Sequence, residues 1–281
     1  MDLSIIILTL DNKRILEECI KSIQQYTTSI TYEIIVVDNN SSDGTRHLIR
    51  STYPDIKLIE NQKNLGFSRG NNQGLKIAKG RYALVLNDDT YIKEDSFRKI
   101  VSFLDENPGI GICGPKLLNP NGSIQRQGSL LSSFKWSAKK PVEAGLVIGA
   151  CMFIRTAVLS KTGMFDENLF FYNDDLDLCM RAKKAGYKVV YSPIADVYHY
   201  GGYTSKKSPN YALIIEGYRG GLYFCKKHYG TVIYSIYRIL LLIIIILMIP
   251  FSLFNRDKLR AYLKIIKIII GQQIIWSSTP Y

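Results

Sequence analysis

The stretch "YALVLNDDTYI", Tyr82 to Ile92, runs an apolar segment straight into Asn87, Asp88 and Asp89. Its first half reads as a strand buried on both faces, the pattern of near-continuous apolar runs found in parallel sheets. Two adjacent carboxylates at the end of such a strand repel each other. They need either water around them, as in a solvated turn, or a cation between them. The neighbouring segments decide which.

Working outward, "LSIIILTL" (Leu3–Leu10), "YEIIVVD" (Tyr32–Asp38) and "IKLIEN" (Ile56–Asn61) predict further strands. Between them, Lys13–Tyr26 places Ile15, Leu16, Cys19, Ile20 and Ile23 on one helical face. A second helix is expected over Asp43–Ser51, opened by Ser/Asp capping chemistry, a third from about Ser68 to Ala78, and a fourth over Ser96–Glu106. Repeated strand–helix units imply an α/β domain, a mostly parallel sheet with helices on both faces. Gly109–Gly149, with Pro115, Pro120 and an Asn-Gly turn at Asn121, reads as irregular. Gly149–Arg155 returns to the core, an acidic helix starts at Asn173, and a short strand is expected over Tyr187–Ser192. Ligands of such sheets bind beyond the C-terminal strand ends. Asp38 and Asn87-Asp88-Asp89 both fall there, which favours a ligand or cation over an idle turn.

The chain of 281 residues is 47% hydrophobic and 21% charged, so a sizeable core is expected and wholesale disorder is not. Five cysteines, none in a C-x-x-C pair, fit reduced thiols in a cytosolic compartment better than a disulfide framework or a zinc site. "MDLSIIILTL" lacks the basic start and the apolar length of a signal peptide and reads as a first strand. The net charge is +12, and from Gly201 onward eleven basic residues face only Glu216 and Asp257. That excess flanks "ILLLIIIILMIPFSLF", Ile239–Phe254. The arrangement points to anionic lipid headgroups rather than nucleic acid.

Four groups of residues carry chemistry. Asp38 in "VVDNNSSDGT" can accept the N3–H of a uracil or thymine ring, or merely serve a turn and helix cap. "NDDT" offers hard oxygen ligands of the kind Mg²⁺ or Mn²⁺ takes one or two at a time when it bridges a diphosphate. In "YNDDLDLCMR", Asp174 suits a helix first turn and Asp177 can pair with Arg181 on the helix surface. Asp175 points off that side and could act as a general base. His199 in "YHYGG" is a structural histidine taken alone, and a metal ligand beside an acidic site. Neither G-x-G-x-x-G nor a P-loop follows the first strand, whose loop reads "TLDNKR".

Taken in order, "SIIILTLDN", "EIIVVDNNSSDGT", "NLGFSRGNNQG", "YALVLNDDT", "IGACMFIR", "GMFDENLFFYNDDLDLCMRAKKAGYKVVY" and "VYHYGG" resemble the family 2 glycosyltransferases of GT-A fold, in their rhamnosyltransferase-like branch. The resemblance covers about Leu3 to Gly202. It implies an inverting enzyme that moves a sugar from a UDP- or dTDP-sugar, rhamnose among them, to a lipid-linked glycan or polysaccharide. GDP-sugars are not excluded. It implies that Asp38 binds the base, that Thr9, Asn71, Asn87 and Asp88 lie along the donor, and that Asp89 ligates Mn²⁺ or Mg²⁺ with His199. Asp175 carries over as the catalytic base, with Asp174 the secondary candidate where the family has Glu. Asn87 replaces the first acid of the D-x-D motif. It is the best argument for the rival reading, a membrane-attached nucleotide- or glycan-binding protein without catalysis. A nucleotidyltransferase lacks its glycine- and arginine-rich loop here.

These readings divide the chain into a catalytic domain over 1–205, a helical connector over 206–230 and a membrane-associated segment over 231–281. Ile239–Phe254 is short of the roughly 20 residues of a straight span, and basic clusters flank it on both sides. The expectation is a re-entrant or interfacial run with both flanks on the cytoplasmic face of the cell membrane, and an amphipathic helix over Lys258–Trp276. One ordinary transmembrane helix is the alternative.

Overall fold

The computed structural model describes residues 1–127, 136–201 and 211–271. It divides into two units, one of Met1–Asp166 with Asp175–Thr204, the other of Glu167–Asp174 with Ser205–Tyr281.

The first unit is built on a sheet in the order β3-β2-β1-β4-β8-β6-β9-β5, with β7 paired to β9. Strands β1 (Leu3–Thr9), β2 (Tyr32–Asp38), β3 (Lys57–Glu60) and β4 (Tyr82–Asn87) are parallel to one another. Antiparallel pairing enters with β8 (Cys151–Arg155) against β4, so the sheet as a whole is mixed. Helices cover both faces. Ile5 and Ile7 of β1 pack in one core with Leu16 and Ile20 of α1 (Lys13–Tyr26), Leu48 of α2 (Thr45–Thr52), and Phe97 and Ile100 of α4 (Ser96–Glu106). Ile6, one residue over, faces the opposite core with Leu75 of α3 (Gly66–Ile77), Val158 of α5 (Thr156–Thr162) and Leu178 of α6 (Asp174–Lys184). This alternation is the two-residue period of a strand buried on both sides.

Three expectations are corrected. Gly109–Gly149 is not wholly irregular, since β6 (Ile110–Leu118) runs through it and β7 (Val142–Glu143) follows. Pro115 is accommodated because the β6–β9 register breaks between Pro115 and Lys116, where the ladder asks no N–H of the proline. The glycines within β6 permit close packing rather than turning, for a Cβ on Gly114 would lie 2.6 Å from Val147, while the Asn-Gly turn at Asn121 does form, with Gly122 at a φ of +82°. Second, the last strand does not stop at Ser192: β9 spans Lys188–His199, passing Pro193 at that same irregularity. Third, Asp177 and Arg181 pair at 2.7 Å but not on the surface, for the Asp177 side chain is fully buried. Arg181 also donates to the carbonyls of Thr162, Gly163 and Met164, so the pair ties α6 to the end of α5.

All five cysteines are free and buried. Burial pushes Cys19 and Cys179 up to about 12, and Cys113, Cys151 and Cys225 upward as well.

In the second unit, α7 (Tyr211–Met248) breaks at Gly230, whose φ of 76° is left-handed. After a tight turn at Pro250–Ser252, α8 (Arg256–Ile269) folds back on α7. Leu241 and Ile245 pack on Ala261, Tyr262, Ile265 and Ile269, and Arg238 donates to the Ile269 carbonyl. The amphipathic helix expected over Lys258–Trp276 therefore begins two residues earlier, at Arg256. Its last five positions, 272–276, lie outside the described residues, as do 206–210 of the expected connector.

Candidate active site

Parallel pairing brings the chemistry to one edge. Thr9 is opposite Asp38, and Leu8 opposite Asn87, so the ends of β1, β2 and β4 coincide. The loops after β1 and β2 are stitched together by their own carboxylates. Asp11 accepts from the Ser42 N–H at 2.6 Å, and Asp43 accepts from Lys13 N–H at 2.7 Å and Thr45 Oγ1 at 2.6 Å. Burial alone would raise the Asp43 carboxyl, but these donors hold it below its ordinary value. Asp43 thus satisfies the first backbone N–H of both α1 and α2, and α2 starts beyond it, at Thr45.

Asp38 is fully buried. It accepts from the Ser41 N–H at 3.1 Å and from Arg46 Nε, and Arg46 also reaches the Asn61 carbonyl at 2.6 Å. The arginine was not singled out from sequence, although it stands on the helix that follows Asp38. A base could be read by this carboxylate only by sharing it with Arg46 or displacing it.

Asp88 and Asp89 are 8% and 6% exposed, which overturns the solvated turn. The two diverge. Asp88 accepts from Thr9 Oγ1 at 2.6 Å and from Asn12 Nδ2 at 3.1 Å, bracing the loop after β1. Burial and the charge of Asp89 push its carboxyl up to about 7 against those two donors. Asp89 faces the other way. The pair β5 (Thr90–Tyr91) and β9 sets Thr90 opposite His199, and His199 Nε2 lies 3.0 Å from Asp89 Oδ1. Asn87 Nδ2 is 3.3 Å from the same ring nitrogen.

His199 Nδ1 is 2.6 Å from Gln125 Oε1. The Gln125 amide is oriented by donating to Asn119 Oδ1 and to the His199 carbonyl. A Cβ on Gly201, which has a φ of +67°, would lie 2.5 Å from the glutamine Nε2, so glycine is required there. With Gln125 Oε1 accepting from Nδ1–H, Nε2 faces Asp89 either as the second N–H of an imidazolium or, beside a bound cation, as a lone pair. Two acceptors 3.0 Å apart are compatible only with a positive charge shared between them. An imidazole nitrogen and a carboxylate oxygen side by side are also donors that would suit a hard divalent cation. Among the described residues no group of three or more His, Cys, Asp or Glu side chains could hold a metal. An ion here would take its remaining ligands from diphosphate and water. Gln125 is 74 residues from His199, and nothing in the sequence marked it.

Asp175 and Asn71 make their hydrogen bonds elsewhere. Asp175 opens α6 half-buried, accepting from the Leu176 N–H at 2.7 Å and the Gly149 N–H at 3.4 Å. Burial outweighs these donors and raises its carboxyl to about 6. Gly149 also abuts the Phe67 ring, and Asn71 donates from Nδ2 to the Phe67 carbonyl at 3.0 Å while its buried Oδ1 has no partner. Asp174, the secondary candidate, is 4% exposed.

The sequence matches the family model described as glycosyl transferase family 2 over residues 4–163. It is 29% identical over 215 residues to the low-salt glycan biosynthesis hexosyltransferase Agl10 of Haloferax volcanii, spanning 70% of this chain and 67% of that one. It is 24% identical over 232 residues to the N-acetylglucosaminyl-diphospho-decaprenol L-rhamnosyltransferase of Mycobacterium tuberculosis, spanning 70% and 76%. It also matches the uncharacterised y4gI of Sinorhizobium fredii, at 26% identity, over only 24% of that protein's length. The structure superimposes on the mannosyltransferase PcManGT of Pyrobaculum calidifontis, solved with GDP-Man and Mn²⁺, with a TM-score of 0.62 at 17% identity over 97% of this chain and 76% of that one. It also superimposes on S. aureus TarS 1–349, solved with UDP, with a TM-score of 0.61 at 22% identity over 80% and 66%. With the mixed sheet and the acidic edge of β4, these likenesses establish a GT-A fold, and the chain belongs to glycosyl transferase family 2.

Proposed function

We propose that this protein is an inverting hexosyltransferase, dependent on Mn²⁺ or Mg²⁺, that transfers a sugar from a UDP- or dTDP-sugar to a lipid-linked glycan or polysaccharide acceptor. The observation that carries the reading is the Asp89–His199 pair, an imidazole nitrogen and a carboxylate oxygen 3.0 Å apart with the ring oriented by Gln125. These two side chains would hold the cation. Bound there, it would offset the negative charge of the departing nucleoside diphosphate.

The remaining work falls to the chain's own residues. Asp38 recognises the base, and Thr9, Asn87 and Asp88 line the donor side. Asp175 accepts the proton of the acceptor hydroxyl as that oxygen bonds to C1 of the sugar. The bond from C1 to the phosphate oxygen breaks on the opposite face, and the diphosphate leaves with the electron pair, so the anomeric centre inverts. A carboxyl raised to about 6 is ionised at neutral pH yet basic enough to share a proton in the transition state.

A membrane as partner, at its cytoplasmic face, is supported by the second unit. Val232, Ile236, Ile239, Leu240, Leu247, Phe251 and Phe254 are all more than half exposed. Tyr211–Met248 is long and apolar enough to cross a membrane, but the fold-back of α8 suits a run that enters and leaves on one side. Acceptors anchored in lipid, as the name of the mycobacterial relative records for that protein, fit such a surface.

The test is a thermal-shift panel of UDP, dTDP and GDP with Mn²⁺ or with chelator, followed by nucleoside diphosphate release with acceptor present. Stabilisation by UDP or dTDP that requires metal supports the reading. Equal stabilisation in chelator overturns the metal site, and donor binding without transfer returns the binding-protein alternative.

A further inference from the structure

Arg46 owes its place to the way α2 begins. Gly44 turns the chain with a φ of 87°, Asp43 accepts from the Thr45 N–H at 3.1 Å, and Arg46 stands next, in the first turn of the helix that follows β2. Its guanidinium is anchored on several sides. Nε donates to Asp38 Oδ2, and Nη2 donates to the Asn61 carbonyl at 2.6 Å and to Asn40 Oδ1 at 3.1 Å. Glu60 Oε2 lies 3.9 Å from Nε. The Asp38 side chain has no exposed surface, whereas Arg46 keeps 25% of its own. Pulling the arginine away would leave a fully buried carboxylate without its cation and would free Asn40 and Asn61 in the same step. Sharing of Asp38 between Arg46 and a base is therefore favoured over displacement.

Lone pairs decide what can share it. A carboxylate has about four acceptor sites, two on each oxygen. Oδ2 takes Arg46 Nε and the Ser41 N–H at 3.2 Å, and Oδ1 takes only that same N–H, at 3.1 Å. One site remains, on Oδ1, and it accepts a single N–H. Uracil and thymine offer a single one, the imide N3–H between two carbonyls. Guanine offers two side by side, N1–H and one N2–H, which suit both oxygens of an uncapped carboxylate. Here the second would meet the guanidinium, donor against donor, the kind of repulsive contact by which a site rejects a competitor. Arg46 Nη1 makes no hydrogen bond among the described residues, which leaves a donor for a carbonyl beside the imide.

We propose that Arg46 selects the base: by capping Oδ2 of Asp38 it leaves room for the one donor of uracil or thymine and turns guanine away. Arg46 is thereby a specificity residue for the nucleotide and takes no part at C1 of the sugar. The inference rests on the reading of Asp38 as the base-binding acid.

The experiment titrates full-length wild type, Arg46→Met, Arg46→Lys and Arg50→Gln by calorimetry with Mn²⁺ present. The ligands are UDP, dTDP, GDP and ribose 5-diphosphate, which has no base. Arg46→Met keeps the aliphatic stem and uncaps Oδ2. Arg46→Lys keeps the charge without the planar fork that reaches Asp38, Asn40 and Asn61 together, and it carries the comparison if the methionine variant does not fold. Arg50 pairs with Glu60 and is the control on the same helix. Wild type should bind UDP and dTDP about 10-fold or more tighter than GDP, the worth of one hydrogen bond to a charged group. In Arg46→Met the Kd for UDP should rise by about that factor while the Kd for GDP holds or falls, so that the preference disappears. Arg46→Lys should lie between, and Arg50→Gln should keep the wild-type ratio. A wild-type ratio in Arg46→Met overturns the inference. So does an equal loss for all three nucleotides, which would make Arg46 only a brace for the loop, and so does a wild type that binds GDP as tightly as UDP. A wild type that binds ribose 5-diphosphate as tightly as UDP reads no base at all, and defeats the reading of Asp38 instead.

Discussion

His199 Nε2 stands 3.0 Å from Asp89 Oδ1 while Nδ1 of the same ring is held 2.6 Å from Gln125 Oε1. The two contacts are linked through the tautomer, because a proton fixed on one nitrogen frees the lone pair of the other. Gln125→Leu removes the acceptor for Nδ1–H and leaves Asp89 and His199 in place. The expected outcome is a 10- to 100-fold weaker Mn²⁺ requirement curve, as for other partners that orient a metal-bound histidine. A Mn²⁺ titration of UDP-dependent thermal stabilisation measures it.

Asp89→Ala removes the hard oxygen from that pair. Stabilisation by UDP should then be the same in Mn²⁺ and in chelator, and transfer should fall to background. A variant that keeps the wild-type metal response would show that Asp89 is no ligand.

Asp175→Asn should lower turnover by roughly 10²- to 10⁴-fold, the usual contribution of a general base, with nucleoside diphosphate binding unchanged. In wild type, kcat should rise with pH through about 6 and then level. The stability effect has the opposite sense. A carboxyl whose value is raised from 3.8 to about 6 on folding contributes stability that is full below 3.8 and is lost as pH rises through 6. Asp175→Asn should therefore melt higher than wild type at pH 8, with the difference closing below pH 4. Melting curves at the two pH values check this.

Asp177 gives the contrast within the same motif. Its fully buried carboxylate is paired with an arginine that also serves three carbonyls, so Asp177→Ala strands Arg181. Loss of about 3 kcal/mol is expected. The surviving folded fraction should retain wild-type kcat, as measured by denaturant melts and by activity normalised to folded protein.

At the tip of the α7–α8 hairpin, Phe251 is 82% exposed and Phe254 fully so. Burying one such ring in lipid is worth about 1.5–3 kcal/mol. Phe254→Ser should therefore weaken partitioning onto vesicles containing phosphatidylglycerol about 10-fold or more in a flotation assay. Binding that ignores this substitution would place the contact elsewhere. For topology, a cysteine placed near the C-terminus should resist an impermeant thiol reagent on intact cells, and ready labelling there would establish a single span.

The parallel half of the sheet was legible because its strands are apolar on both faces and its helices carry one apolar stripe each. Leu3–Thr9, Tyr32–Asp38 and the helices Lys13–Tyr26 and Ser96–Glu106 follow directly from those periods. The antiparallel part was less so. In β6 the glycines serve packing against Val147 and the proline sits at a register break, yet both residue types signal turns when read locally. The candidate site divides in the same way. Asp38, Asp88 and Asp89 announce themselves as acids at strand ends. Their partners Arg46, Asn12 and Gln125 do not, because an amide or guanidinium gains its role only from what the fold sets beside it.

The burial of every native thiol has a practical sense. With each sulfur enclosed and its ionisation suppressed, little thiolate is available to a maleimide at neutral pH. The native chain can thus serve as its own silent background. A reporter introduced on the α7–α8 hairpin, or in Glu167–Asp174, becomes the sole fast-reacting position without deletion of Cys113, Cys151 or Cys179 and the cavities such deletions would leave in the core.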